Sequence, residues 1–187
     1  MENRNVLNQI IVATLVIGGG VFLRLIPHPA NVAPIGAMAL FGGMYLNKKY
    51  ALLIPAVTLF LSDIILGFYR GMPFVYASFL LIGIIGLWMQ SQKKSWKNLI
   101  FVTLISSFLF FIITNFGVWL LSGMYERNIP GFFRCYVLAL PFLRNSIFGD
   151  LGYFGIFIAC YQAVTHMFVK MRPVKLPYYA DIYKKRR

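Results

Sequence analysis

The groups in this chain that could do chemistry are few, and most of them sit inside long apolar runs. Arg24, Asp63, Arg144 and Asp150 are ionisable, and Asn115, Asn145 and His166 add polar groups in similar surroundings. An ionised side chain in apolar surroundings is costly and turns toward interior partners. Two chemistries follow. One is structural: Arg24 paired with Asp63, and Arg144 with Asp150, would hold helices in register. The other is recognition. Arg24, Asp63, Asn115, Asn145 and Asp150 would line or brace a cavity for a small polar molecule, with His28 and Asn31 nearby in a proline-rich segment. His28 reads either as an exposed loop residue or as a ligand contact, and His166 as an interfacial or core histidine. Cys135 offers a soft thiolate for a transition metal, but free cysteine more often packs as a small hydrophobe.

Several chemistries have no basis here. There is no GxxxxGK[ST] phosphate loop, no HExxH and no serine in a nucleophile elbow. Two histidines exclude a four-ligand di-haem site within one subunit, and the two cysteines lack zinc-site spacing. Asp63 and Asp150 are too far apart in sequence to be assigned as an acid–base pair. The expectation is a protein that is not an enzyme, with no catalytic residues, no cofactor and no bound metal.

The elements that must position these groups are helices. Hydrophobic residues make up 59% of the chain, charged residues 12%, and the mean hydropathy is +0.72, which is too apolar for an ordinary soluble domain. Six runs stand out at 9–26, 32–46, 50–69, 72–91, 98–122 and 145–169. Five reach the length of about 20 residues that crosses a bilayer; 32–46 is short and glycine-rich, hence tilted, broken or re-entrant. The fold class expected is an all-α integral membrane protein: one compact bundle of about six transmembrane helices over residues 1–187, with a basic tail at 170–187.

The cations give the bundle a sidedness. All nine lysines, with Arg4, Arg172, Arg186 and Arg187, fall on one face of this topology. Only Arg24, Arg70, Arg127, Arg134 and Arg144 fall on the other. Cationic loops stay in the cytoplasm during insertion, so both termini are expected there. The net charge of +13 needs no nucleic acid to explain it, because the charges cluster at membrane ends, where they also attract anionic lipid. On this topology Arg24, Asp63, Asn115, Arg144, Asn145 and Asp150 converge on the outer half. The outer connections are a stiff Pro27–Pro34 loop, a tight Arg70–Pro73 turn and a long segment, Gly123–Arg144. The second half of that segment, Phe132–Leu143, suits a short interfacial or lid-like helix ending at Pro141. Tyr76, Trp119, Tyr125, Tyr136 and Tyr153 are expected to form an outer aromatic belt.

Four blocks carry a resemblance. They are Arg24–Gly43 (RLIPHPANVAPIGAMALFGG), Leu61–Phe68 (LSDIILGF), Thr114–Trp119 (TNFGVW) and Pro141–Leu151 (PFLRNSIFGDL). Together they resemble a family of uncharacterised bacterial membrane proteins, which in turn is similar to the substrate-binding S-components of energy-coupling factor vitamin transporters, the solitary cobalamin-type ones included. The second likeness rests on size, six spans, Asn31-x-x-Pro34 and the Ser62-Asp63-x-x-x-Gly67 close of the third span. It implies an outer pocket capped by the first, third and fifth loops, and a small-residue docking face, for which Ala13, Gly18 and Gly20 are available. A cobalamin-type ligand would make Cys135 or His28 candidate cobalt ligands.

The function expected is therefore a substrate-binding membrane component for uptake of a small vitamin-like solute, in a bacterial cytoplasmic membrane. Its partners would be the solute, membrane lipid and an ATPase module or other membrane subunits. The rival is a non-catalytic accessory subunit of a larger membrane complex. A third reading, an intramembrane enzyme acting on lipid through Asp63 and Asp150, lacks a motif.

Overall fold

The computed structural model describes residues 16–46 and 48–171. The segment 1–15 with Arg4 and Ala13, the side chain of His166 and the tail beyond Met171 lie outside the described residues. Seven helices and no strand occur among those described: α1 (Val16–Leu25), α2 (Ile35–Tyr45), α3 (Lys48–Leu66), α4 (Met72–Met89), α5 (Trp96–Leu121), α6 (Ile129–Leu138) and α7 (Leu140–Met171). Of these, α4 and α5 are long and apolar enough to cross a membrane.

The bundle is organised around α2. Nine of its eleven residues are buried, and it packs against α3, α4, α5 and α7. Glycine allows this close approach. A Cβ on Gly43 would fall 2.7 Å from Gly86 Cα of α4, and one on Gly86 would fall 2.9 Å from Gly43 Cα, so the two backbones meet where neither carries a side chain. On the α3 side, Pro55 has no N–H to offer Ala51 O, four residues earlier. That carbonyl faces α2 at Gly42, where a Cβ would sit 3.2 Å away. The helix α1 reaches the same core through Gly20, whose Cβ would meet Met38 and Thr58, whereas Gly18 and Gly19 border open space.

Both ends of α2 lie inside the bundle, where unpaired peptide groups are costly. At the C-terminal end, Gln90, the C-cap of α4, resolves the problem: its Nε2 donates to Gly43 O at 2.8 Å and Leu46 O at 3.0 Å. At eleven residues α2 is roughly 16 Å long, against roughly 39 Å for the 26 residues of α5. The longer helices therefore extend past α2's N-terminus, and a depression forms there.

Boundaries differ from the sequence reading where a proline was taken as a stop. The last helix begins at Leu140 rather than 145, because Pro141 occupies its first turn, where a missing N–H costs nothing. The short helix α6 starts at Ile129 because Asn128 caps it, its Oδ1 accepting from Gly131 N at 2.8 Å.

The Gly43–Gly86 contact generates a test. Gly43→Leu is expected to cost about 1–3 kcal/mol or more by forcing α2 from α4, lowering the melting temperature of the detergent-solubilised protein. Gly19→Leu should leave it unchanged, since nothing lies within 4 Å of that position.

Candidate functional site

Two polar clusters occupy the end of the bundle where α1 and α3 finish and α4 begins. The first joins three helices. Arg24, on the last turn of α1, forms an ion pair with Asp63 Oδ1 of α3 at 2.7 Å. The same Nη1 donates to Ser62 Oγ and to Leu59 O. Tyr76 of α4 donates its hydroxyl to Asp63 Oδ2 at 2.9 Å. Asp63 is fully buried, so the guanidinium and phenol stand in for its lost hydration. Gly67 then closes α3: at φ 93° its N–H donates to Asp63 O at 2.8 Å. The spacing Ser62-Asp63-x-x-x-Gly67 thus reads physically as two groups that hold Arg24 and a glycine that ends their helix.

The second cluster centres on Asp150 of α7. Ser107, on the buried face of α5, donates to Asp150 Oδ2 at 2.7 Å. The carboxylate rests on the N-terminal turn of α2, so close that a Cβ on Gly36 would lie 2.5 Å from Oδ1. No side-chain cap serves that turn, and the partial positive charge of its N–H groups favours an anion there. Asp150 has no cationic partner among the described residues. The expected pair with Arg144 does not form. Arg144 is exposed and lies over the Phe148 ring, with Cζ 5.8 Å from its centroid. Six residues along a helix turn the two side chains to different faces.

A cavity of about 340 Å³ lies between these clusters, over the N-terminus of α2. Arg24, His28, Asn31, Tyr69, Ser146 and Asp150 supply its polar lining, and Ile35, Leu66, Val75, Phe79 and Phe110 much of the apolar wall. The first loop forms one rim. Asn31 takes a left-handed backbone there (φ 64°), a conformation that asparagine tolerates better than most residues. One face of α7 fastens this loop: Asn145 Nδ2 donates to Ala30 O at 3.0 Å, and Gly149 packs under Val32.

Four of the seven residues singled out in the sequence, Arg24, His28, Asn31 and Asp150, line the cavity. Asp63 stands behind the wall, holding Arg24. Asn145 braces the loop from outside, and Asn115 faces elsewhere, donating to Phe111 O of its own helix at 2.8 Å. The long outer segment also departs from expectation: none of residues 123–143 lines the cavity. Instead α6 packs along α5, where Tyr136 donates to Ile112 O at 2.8 Å and Trp119 meets Phe132 edge to face at 5.4 Å. Cys135 is buried in that contact with its Sγ 3.5 Å from Asn115 O, and burial pushes the thiol's pKa up. The expected aromatic belt divides accordingly. Tyr76 serves Asp63, Trp119 donates to Glu126 O at 3.0 Å, and Tyr153 packs on the core.

Sequence reasoning missed Ser107, Ser146, Tyr69, Tyr76 and Gly36. The two serines and the glycine carry no charge to flag them, and the tyrosines resemble interfacial aromatics.

Removing one partner of the Arg24–Asp63 pair should leave a buried charge unmatched. Arg24→Met is expected to destabilise the protein by about 3–5 kcal/mol, read as a shift in unfolding midpoint, with part of the loss recovered in Arg24→Met/Asp63→Leu. A double variant no more stable than the single would show that the pair holds nothing.

No curated protein and no solved structure matches the chain. Residues 4–173 match the model of a family of unknown function, DUF6580, and the chain belongs to that family.

Proposed function

We propose that this chain is a multi-pass protein of a bacterial cytoplasmic membrane that captures a small solute from the outer face. The observation that carries the reading is the cavity: about 340 Å³ of space set among apolar helices yet lined by the buried polar groups of Ser146 and Asp150 and by more exposed ones at its mouth. A membrane location is supported by the perimeter of the bundle. Leu53, Phe60, Ile64 and Ile65 of α3, Ile84 and Trp88 of α4, and Phe101, Phe108 and Ile112 of α5 are all exposed. An apolar surface this continuous is unstable in water and suits lipid. Buried residues account for only 33% and 39% of the most apolar windows of α4 and α5, which supports helices that face lipid over the covered core helices of a soluble protein.

Orientation follows from charge. Lys93 and Lys94 join α4 to α5, Lys97 lies in the first turn of α5, and Lys48 and Lys49 begin α3, all at the end opposite the cavity. With that end cytoplasmic, the cavity opens outward. The resemblance to vitamin-transporter S-components favours a vitamin-like solute. The chain carries no phosphate loop, so net movement of solute would require a partner ATPase module or reorientation of the bundle. Asp150, as the buried carboxylate at the cavity, is the residue to test first, since Asp63 stands behind the wall paired with Arg24.

The protein purified from its host in mild detergent should release a small molecule detectable by mass spectrometry, and Asp150→Asn should reduce the amount retained by about tenfold or more. A constant set of co-purifying membrane subunits with an empty cavity would overturn this reading in favour of an accessory subunit.

A further inference from the structure

The charge around the cavity does not balance, and the imbalance specifies what the cavity accepts. Arg24 is committed: its guanidinium is paired with Asp63 and bonded to Ser62 and Leu59, so the two charges cancel. Asp150 is not balanced in this way. Its Oδ2 accepts from Ser107, but no donor among the described residues reaches Oδ1. The N-terminus of α2 offsets only about half a unit of the charge this carboxylate carries when ionised, and a cation seated beside it would hold it in that form. One helical turn earlier on α7, Ser146 also lines the cavity; it is 4% exposed, and its Oγ has no hydrogen-bond partner. Asp150 Oδ1 thus lacks a donor and Ser146 Oγ, one helical turn away, lacks a partner, in a wall where unmet polar groups are costly.

What satisfies both is a group with at least two N–H donors and a positive charge. Water supplies the donors without the charge, and an anionic solute meets repulsion from Asp150 while Arg24 is already used. Elsewhere in the lining, Phe79 and Phe110 present aromatic rings with centroids 4.9 Å apart, surfaces suited to a flat ring or a delocalised cation. The volume, about 340 Å³, lies near the lower end of the range for ligand pockets. The other titratable groups at the cavity, His28 and Tyr69, are exposed at its mouth.

Building on the solute-capture reading, we propose that the cavity selects small aromatic or conjugated cations, with a protonated amine or amidine seated on Asp150 Oδ1 and Ser146 Oγ. The solute class narrows accordingly, from any vitamin-like molecule to organic cations.

Three probes with one ring and different charge test this: benzamidinium, benzamide and benzoate, titrated calorimetrically into the full-length protein in lipid nanodiscs after removal of any co-purified solute. Benzamidinium is expected to bind about tenfold or more tightly than benzamide, with benzoate weakest. Asp150→Asn keeps the shape and an acceptor for Ser107, and should abolish the preference for benzamidinium over benzamide. Ser146→Ala, which makes no demand on folding, should weaken benzamidinium several-fold. Benzoate binding as tightly as benzamidinium, or benzamidinium binding unchanged in both variants, would overturn the cation selectivity while leaving a solute cavity in place. Failure of all three probes to bind would overturn both this inference and the solute-capture reading beneath it.

Discussion

Helix α2 is eleven residues long and enclosed by its neighbours, and most of the architecture follows from making that arrangement possible. A helix surrounded on all sides cannot carry bulky side chains on every face at once. Small residues therefore occupy the closest approaches, Gly43 against Gly86 of α4 and Gly42 against the carbonyl that Pro55 leaves free on α3. Burial also removes both helix ends from solvent. The C-terminal carbonyls are met by Gln90, and the Asp150 carboxylate lies against the N-terminal turn. Polar side chains thus stand at both ends of one short helix, one donating to its last carbonyls and the other placed in the field of its N-terminus.

The cavity is a by-product of the same length mismatch. The surrounding helices extend beyond the point where α2 begins, and the proline-rich first loop bridges the gap without filling it. That loop holds its shape through contacts from α7: Asn145 on Ala30 and Gly149 beneath Val32. Gly36 matters for a further reason. Any side chain there would displace the Asp150 carboxylate from the helix terminus, so the glycine allows a buried charge to sit beside the cavity.

The two acidic residues in the spans illustrate how similar groups acquire different roles. Asp63 is fully enclosed and accounted for by Arg24 and Tyr76, which tie α1, α3 and α4 together. Such a network adds definition more than stability, since desolvating the pair consumes much of its Coulombic gain. Asp150 has a neutral hydroxyl, a helix terminus and open space around it. Only the second retains an oxygen for something outside the protein.

What the sequence alone determined was where helices run and which end carries the lysines, because both depend on local composition. The bounds of α4 and α5 follow the apolar runs to within two residues, and four of the polar residues flagged line the cavity, Arg24 and Asp150 from within the runs and His28 and Asn31 from the loop between the first two. Tertiary structure decided which way each side chain faces. Helices such as α2, α4 and α5 are apolar nearly all round, so their 3.6-residue period carries no direction, and nothing local says that Asn115 turns away while Ser107 turns in. The same lack of direction made Arg144 look like a partner for Asp150, and made Pro141 look like an ending when it sits in a first turn. Contacts such as Ser107 with Asp150, or Gln90 with the end of α2, join residues more than forty positions apart. They exist only once packing has fixed the rotation of each helix.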